Sequence, residues 1–134
     1  MDLKERVIES ERLSNEELEA MRTCADEDGF LIHLTKYVRL RFLIDDDPIE
    51  SHSIKELAER SIVRSIELSG DPAKLADLGI NCAGASSATT KQLLLIIALR
   101  KGLGIRELDP DKAALAKTLP ELASLLQNAL REGA

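Results

Sequence analysis

Helix-start signals recur along this chain and strand signals do not, and that asymmetry limits what it can fold into. A Ser or Thr followed three residues later by Glu lets a side-chain oxygen and a carboxylate satisfy backbone N–H groups in a first helical turn. Ser14 with Glu17, Ser53 with Glu56 and Thr118 with Glu121 have that spacing. Asp109 before Pro110 adds another start, an oxygen acceptor ahead of a ring whose φ already suits a helix. Gly29 and Gly70 offer the left-handed residue that ends a helix at little cost. The pattern predicts helices over 15–27, from Ile54 up to Gly70, and from Leu119 through Leu130.

Segment 30–44, FLIHLTKYVRLRFLI, has two periodicities. Leu31, Leu34, Val38 and Phe42 share a helical stripe, while Val38, Leu40 and Phe42 alternate as a strand would. No second strand-like segment exists to pair with it, so it reads as a helix, stopped by Asp45-Asp46-Asp47-Pro48. Its basic residues Lys36, Arg39 and Arg41 are placed to face the acidic helix 15–27. The next helix carries Ile54, Leu57, Ala58, Ile62 and Ile66 on one stripe. Asp71-Pro72 opens a turn, and the loop to Ser86 is pinned by Leu75 and Leu78. Helix 88–102 is apolar almost all round in its middle, as buried helices are. Leu119, Leu122, Leu125, Leu126 and Leu130 line the last helix. The expected fold class is all-α.

Composition narrows function more than fold. Aromatic residues make up 2% of the 134 and Trp is absent, so the core is aliphatic and an aromatic-lined ligand cavity is not expected. Residues 1–30 hold ten acidic and four basic side chains, a balance of −6, whereas 31–134 hold fourteen of each. The basic footprint of a nucleic-acid binder is absent. The longest apolar run, Leu93–Leu99, is far short of a membrane span. Residues 1–30 lack the basic and apolar regions of a secretory signal, and a cytoplasmic location is expected. Cys24 and Cys82 then read as free thiols.

The back half carries a more specific pattern. Gly84-Ala85-Ser86-Ser87-Ala88 opens the apolar helix, and Leu78-Gly79 lies upstream of it. Leu108-Asp109-Pro110-Asp111 and then Thr118-Leu119-Pro120-Glu121-Leu122 follow. In order and spacing this resembles the acyl carrier protein family, whose members show Gly-x-Asp-Ser-Leu at the start of their second helix. The resemblance implies an acyl-carrier-like four-helix bundle over 51–134, with 1–50 as an N-terminal helical extension. It also implies a 4′-phosphopantetheine arm on Ser87, the position the local string selects. Counting back from Leu95, Leu99 and Leu103 selects Thr89 instead, and Ser86 is a further alternative. The implied partners are a phosphopantetheinyl transferase and acyl-transferring or ligase enzymes, as in fatty acid or polyketide biosynthesis. The chain itself would hold thioester cargo and catalyse nothing. Three departures stand out. Ser86 replaces the acid before the serine, Ala88 replaces the leucine after it, and INCAGA at 80–85 lengthens the loop. The helix also carries Lys91, Arg100 and Lys101 where the family is acidic, which would weaken or reverse electrostatic steering. A carrier-derived interaction module without the arm is the alternative, and an unrelated helical scaffold a third.

The other reactive side chains read as structural. His33 and His52 have no neighbouring nucleophile pattern and are expected at the surface. Cys82 precedes a helix N-terminus, where a thiolate gains stability, but a buried structural thiol is the plainer reading. Asp45–Asp47 lack the glycine-containing loop of a calcium site and read as a solvated stop, so no metal is expected. Gly102-x-Gly104 has no preceding strand and is not a nucleotide loop.

Overall fold

The computed structural model describes residues 3–24, 26–69 and 87–133. They form six helices: α1 (Leu3–Thr23), α2 (Glu27–Arg41), α3 (Ile54–Ser69), α4 (Ala88–Leu103), α5 (Pro110–Ala113) and α6 (Leu119–Gly133). No strand occurs among the described residues, and the all-α expectation holds. Gly70, the loop 71–86 with Leu75, Leu78-Gly79 and Cys82, and Ser86 lie outside the described residues.

α1 starts twelve residues before the predicted Asn15. Ser14 does not cap it. Ser14 is buried in mid-helix, and its hydroxyl donates to the Glu11 carbonyl at 2.9 Å. Val7, Ser10, Ser14, Leu18 and Met21 form the buried stripe. Two of its members are serines, whose small volume lets α2 come close, and the Ser10 hydroxyl donates to the Leu40 carbonyl. Arg12 pairs with Glu9 and Glu16 on the solvent side, which supports helix where a start was expected. The helix then stops at Thr23 rather than running to Gly29, because Asp26 caps a new one. The Asp26 carboxylate accepts from Gly29 N–H at 3.0 Å, and Glu27 and Asp28 favour the positive helix end.

α2 is helical, as expected for 30–44, and returns antiparallel along α1. Its buried residues are Phe30, Leu34, Tyr37 and Val38, with Phe42 just beyond, so every aromatic side chain of the protein lies here. The Asp-Pro signal does not end the helix. Leu43 does so earlier, at φ 60°, with Ile44 N–H bonded to the Arg39 carbonyl at 2.9 Å. A leucine at that φ is strained, and its fully buried side chain offsets the cost.

The turn at Leu43 delivers the three aspartates to arginines, with Asp45 and Asp46 still exposed as expected and Asp47 buried. Arg6 meets Asp45 and Asp46 at 3.2 and 3.0 Å. Arg64 meets Asp46 at 2.8 Å, and Arg60 meets Asp47 at 2.7 Å. Asp47 is itself buried and accepts from Ile49 N–H at 3.0 Å. The run expected as a solvated stop therefore ties α1 and α3 to the α2–α3 link. The basic residues of α2 are divided: Arg41 approaches Glu11 of α1 at 3.9 Å, Arg39 donates to the carbonyls of Asp47 and Ile49, and Lys36 is exposed.

α3 buries Ile54, Leu57, Ala58, Ser61 and Ser65, while Ile66 is exposed. The stripe turns from the expected one because Ser61 supplies a donor, at 2.7 Å, to the Phe42 carbonyl. The capping boxes at 53 and 118 form in half. Glu56 N–H bonds to Ser53 Oγ and Glu121 N–H to Thr118 Oγ1. The glutamates reach Ser51 Oγ and Lys117 N–H instead of the caps' own amides. An antiparallel bridge between Ser53 and Thr118 joins the starts of α3 and α6.

α1 packs along α2, α2 against α6, α3 against α4, and α4 against α1 and α5. At the α1–α4 crossing Gly102 allows a close approach: an added Cβ would meet Leu18 Cδ1 at 2.5 Å, and the leucine would have to shift. One buried cluster draws residues from all six helices, on both sides of residue 50.

Burial alone pushes the Asp47 carboxyl upward. The Arg60 hydrogen bond, the Ile49 amide and the charges of Arg60 and Arg64 outweigh it, so the group settles below its ordinary value. A carboxyl lowered on folding stabilises above its unfolded pKa of about 4, and that contribution fades as pH falls through the folded value. Thermal unfolding of wild type and Asp47→Asn should differ most above about pH 5, and the gap should close as pH falls from about 4 through the lowered folded value. A gap constant across that range would contradict this role.

Candidate functional site

The hydroxyl cluster sits at the start of α4. Ser87 is its N-cap, extended at φ −124° and ψ 148°. Its Oγ accepts from Thr90 N–H at 3.1 Å and donates to Thr90 Oγ1 at 2.7 Å. Ser87, Thr89 and Thr90 are all exposed. The cap falls on Ser87, and Thr89 lies within the first turn.

The charge setting of this helix start differs from the others. α4 has no acid in its first turn, whereas α1, α2, α3, α5 and α6 each carry at least one. The partial positive charge of its N-terminus is therefore unopposed by its own first-turn side chains.

One turn below Ser87 the helix turns Lys91, one of its three basic residues, inward. Lys91 is 0% exposed, and its Nζ lies 5.9 Å from the centre of the Phe42 ring, within cation–π range. Its place follows from the row Lys91, Leu95, Leu99, Leu103, all buried at i, i+4 spacing. That row was legible, but its first member was read by charge rather than by register. Arg100 and Lys101, at the far end, do lie toward solvent and offset the negative end of the helix. Gly104 closes it in left-handed geometry, φ 69°.

The remaining candidates stay apart from this cluster. His33 Nδ1 meets a Glu17 carboxylate oxygen at 2.6 Å and joins α2 to α1. His52 is exposed beside the α3 cap. Cys24 bonds to Asp26 at 3.3 Å. That carboxylate raises its thiol pKa, burial adds to the rise, and the group is the opposite of an activated thiolate. Among the described residues no His, Cys, Asp and Glu group is arranged to hold a metal. No helix among them is long and apolar enough to cross a membrane. Thr35, Arg39, Asp47, Glu50 and His52 help line a groove of about 620 Å³ beside the α2–α3 link, and Asp47 is already paired with Arg60.

No protein-family model, curated protein or solved structure matches this chain.

The cap itself is measurable. Ser87→Ala removes the acceptor for Thr90 N–H and should cost about 1 kcal/mol in chemical denaturation. Thr89→Ala should change stability by less than about 0.5 kcal/mol, since surface substitutions away from caps do little. Equal losses from the two would contradict the assignment of Ser87 as the cap.

Proposed function

We propose that the protein is an atypical carrier of thioester-bound acyl or aminoacyl groups, with 4′-phosphopantetheine attached to Ser87. The observation that carries the reading is an exposed cap serine on the one described helix without an acid in its first turn. The order long helix, long helix, short helix, long helix over 54–133 is consistent with an acyl-carrier-like bundle. The family strings around Gly84 to Ala88, Leu108 to Asp111 and Thr118 to Leu122 support it further.

The residues present fit a phosphodiester at this position. Esterification of Ser87 would remove the donor to Thr90 Oγ1 and weaken the oxygen as an acceptor for Thr90 N–H. The added negative charge would meet the unopposed positive end of α4, which offsets part of that loss. When bound, the arm supplies a terminal thiol that holds cargo as a thioester. The chain then positions the arm and offers a surface, and the chemistry belongs to its partner enzymes. A transferase using coenzyme A would install the arm.

A second reading rests on the same hydroxyl. Ser87 already satisfies Thr90 from both sides, which is all a helix cap has to do. On that reading the chain is an interaction module without an arm. Intact mass after incubation with coenzyme A and a broad-specificity phosphopantetheinyl transferase separates the two. The carrier predicts a gain of one phosphopantetheine that Ser87→Ala abolishes and Thr89→Ala retains. No gain with several such transferases favours the armless module.

A further inference from the structure

We infer that the C-terminal end of α4 is a docking surface for an acidic partner segment that carries an apolar anchor. The surface is a shallow depression of about 300 Å³, lined by Ile97, Arg100, Lys101, Gly104, Ile105 and Arg106. Among the described residues its lining holds three cations and no carboxylate. Among the described residues none of the three cations forms an ion pair, in a chain of net charge −6 whose Arg6, Arg12, Arg41, Arg60 and Arg64 all do. Arg100 is held in place by donating to the Arg106 carbonyl at 2.9 Å.

The helix dipole accounts for Arg100 and Lys101 but not for the rest. Arg106 lies beyond the helix, where the dipole no longer acts. Ile97 is 44% exposed on the same face as Lys101, four residues on. A side chain at Gly104 would meet no atom of the described residues within 4 Å, so among them the depression stays open above the backbone.

Charge and geometry together select the occupant. A small anion would need converging donors. The N–H groups of Gly104 and Ile105 are instead spent on the carbonyls of Lys101 and Arg100, so the backbone offers no converging donors here. Nucleic acid needs an extended basic footprint, and three cations around one depression do not make one. A second copy of the chain, bound through its acidic α1, would make a heterologous contact, and its charge alone would supply no apolar counterpart for Ile97. A partner segment bearing carboxylates for Arg100, Lys101 and Arg106 and one aliphatic side chain for Ile97 meets every feature. The small contact implies a weak, transient complex whose rate of formation depends on charge.

The test titrates the full chain into a labelled peptide of glutamates and leucines, and into the same peptide with lysines for the glutamates. Amide chemical shifts locate the contact, and circular dichroism checks the variants. The glutamate peptide should bind, with shifts centred on residues 97–106. Lys101→Glu combined with Arg106→Glu should weaken it by about tenfold or more, and Ile97→Ser should weaken it with its salt dependence intact. Raising ionic strength from about 0.01 to about 0.15 M, which shortens screening from about 30 to about 8 Å, should weaken it too. Four results would overturn the inference: equal binding of both peptides, shifts centred elsewhere, saturable binding of inorganic phosphate at these residues without peptide binding, or self-association that the charge reversal abolishes. The peptide test needs no modification at Ser87, so its result stands apart from the mass experiment.

Discussion

The structure depends on the burial of one aromatic row. Phe30, Tyr37 and Phe42 are the only large rings available to this chain, and all three are sealed inside along α2 and its exit. An aliphatic core gains free energy in small increments, whereas each ring removes a large apolar surface from water at once. α1 and α6 pack against α2. Phe42 extends its reach to the other helices: its carbonyl takes the Ser61 hydroxyl of α3, and its ring meets the Lys91 ammonium of α4. The helix that presents Ser87 is therefore held from below by a residue that reads, in the sequence, as part of an added N-terminal segment.

Polar groups then fix what the apolar core leaves free. Apolar burial is non-directional and does not choose a helix rotation, but hydrogen bonds and ion pairs do. Ser10 and Ser61 face inward and donate to the carbonyls of Leu40 and Phe42, which sets the faces of α1 and α3. Three consecutive aspartates meet Arg6, Arg60 and Arg64 after the left-handed turn at Leu43. Acidic residues near the N-terminal half thus brace the interior link instead of forming only a solvated face.

Helix identity was legible because capping chemistry is local. Asp109 with Pro110, the starts at 54 and 119, and the choice of helix for 30–44 all follow from nearest neighbours in sequence. Rotation about the helix axis was less legible, since a serine's direction depends on which carbonyl passes nearby. Ser14 illustrates the difference: its spacing to Glu17 matches a cap, but the tight α1–α2 contact makes it a packing residue. Lys91 and Asp47 show the same for charge. Each is ionisable, and each is buried by partners distant in sequence. The start of α4 was readable to the residue, because Ser87 caps its own helix with no outside help.

A carrier arm on Ser87 would sit at one end of α4 and the cationic depression at the other, so the orientation of this helix governs both. The central claim is that α2 and α4 are held by one shared core. Native-state hydrogen exchange across a denaturant series tests it most directly. Amides of Leu34 and Val38 should open in the same global event, with the same denaturant dependence, as those of Leu95 and Leu99. Opening of α1 and α2 at distinctly lower free energy, with α3, α4 and α6 still protected, would contradict the account.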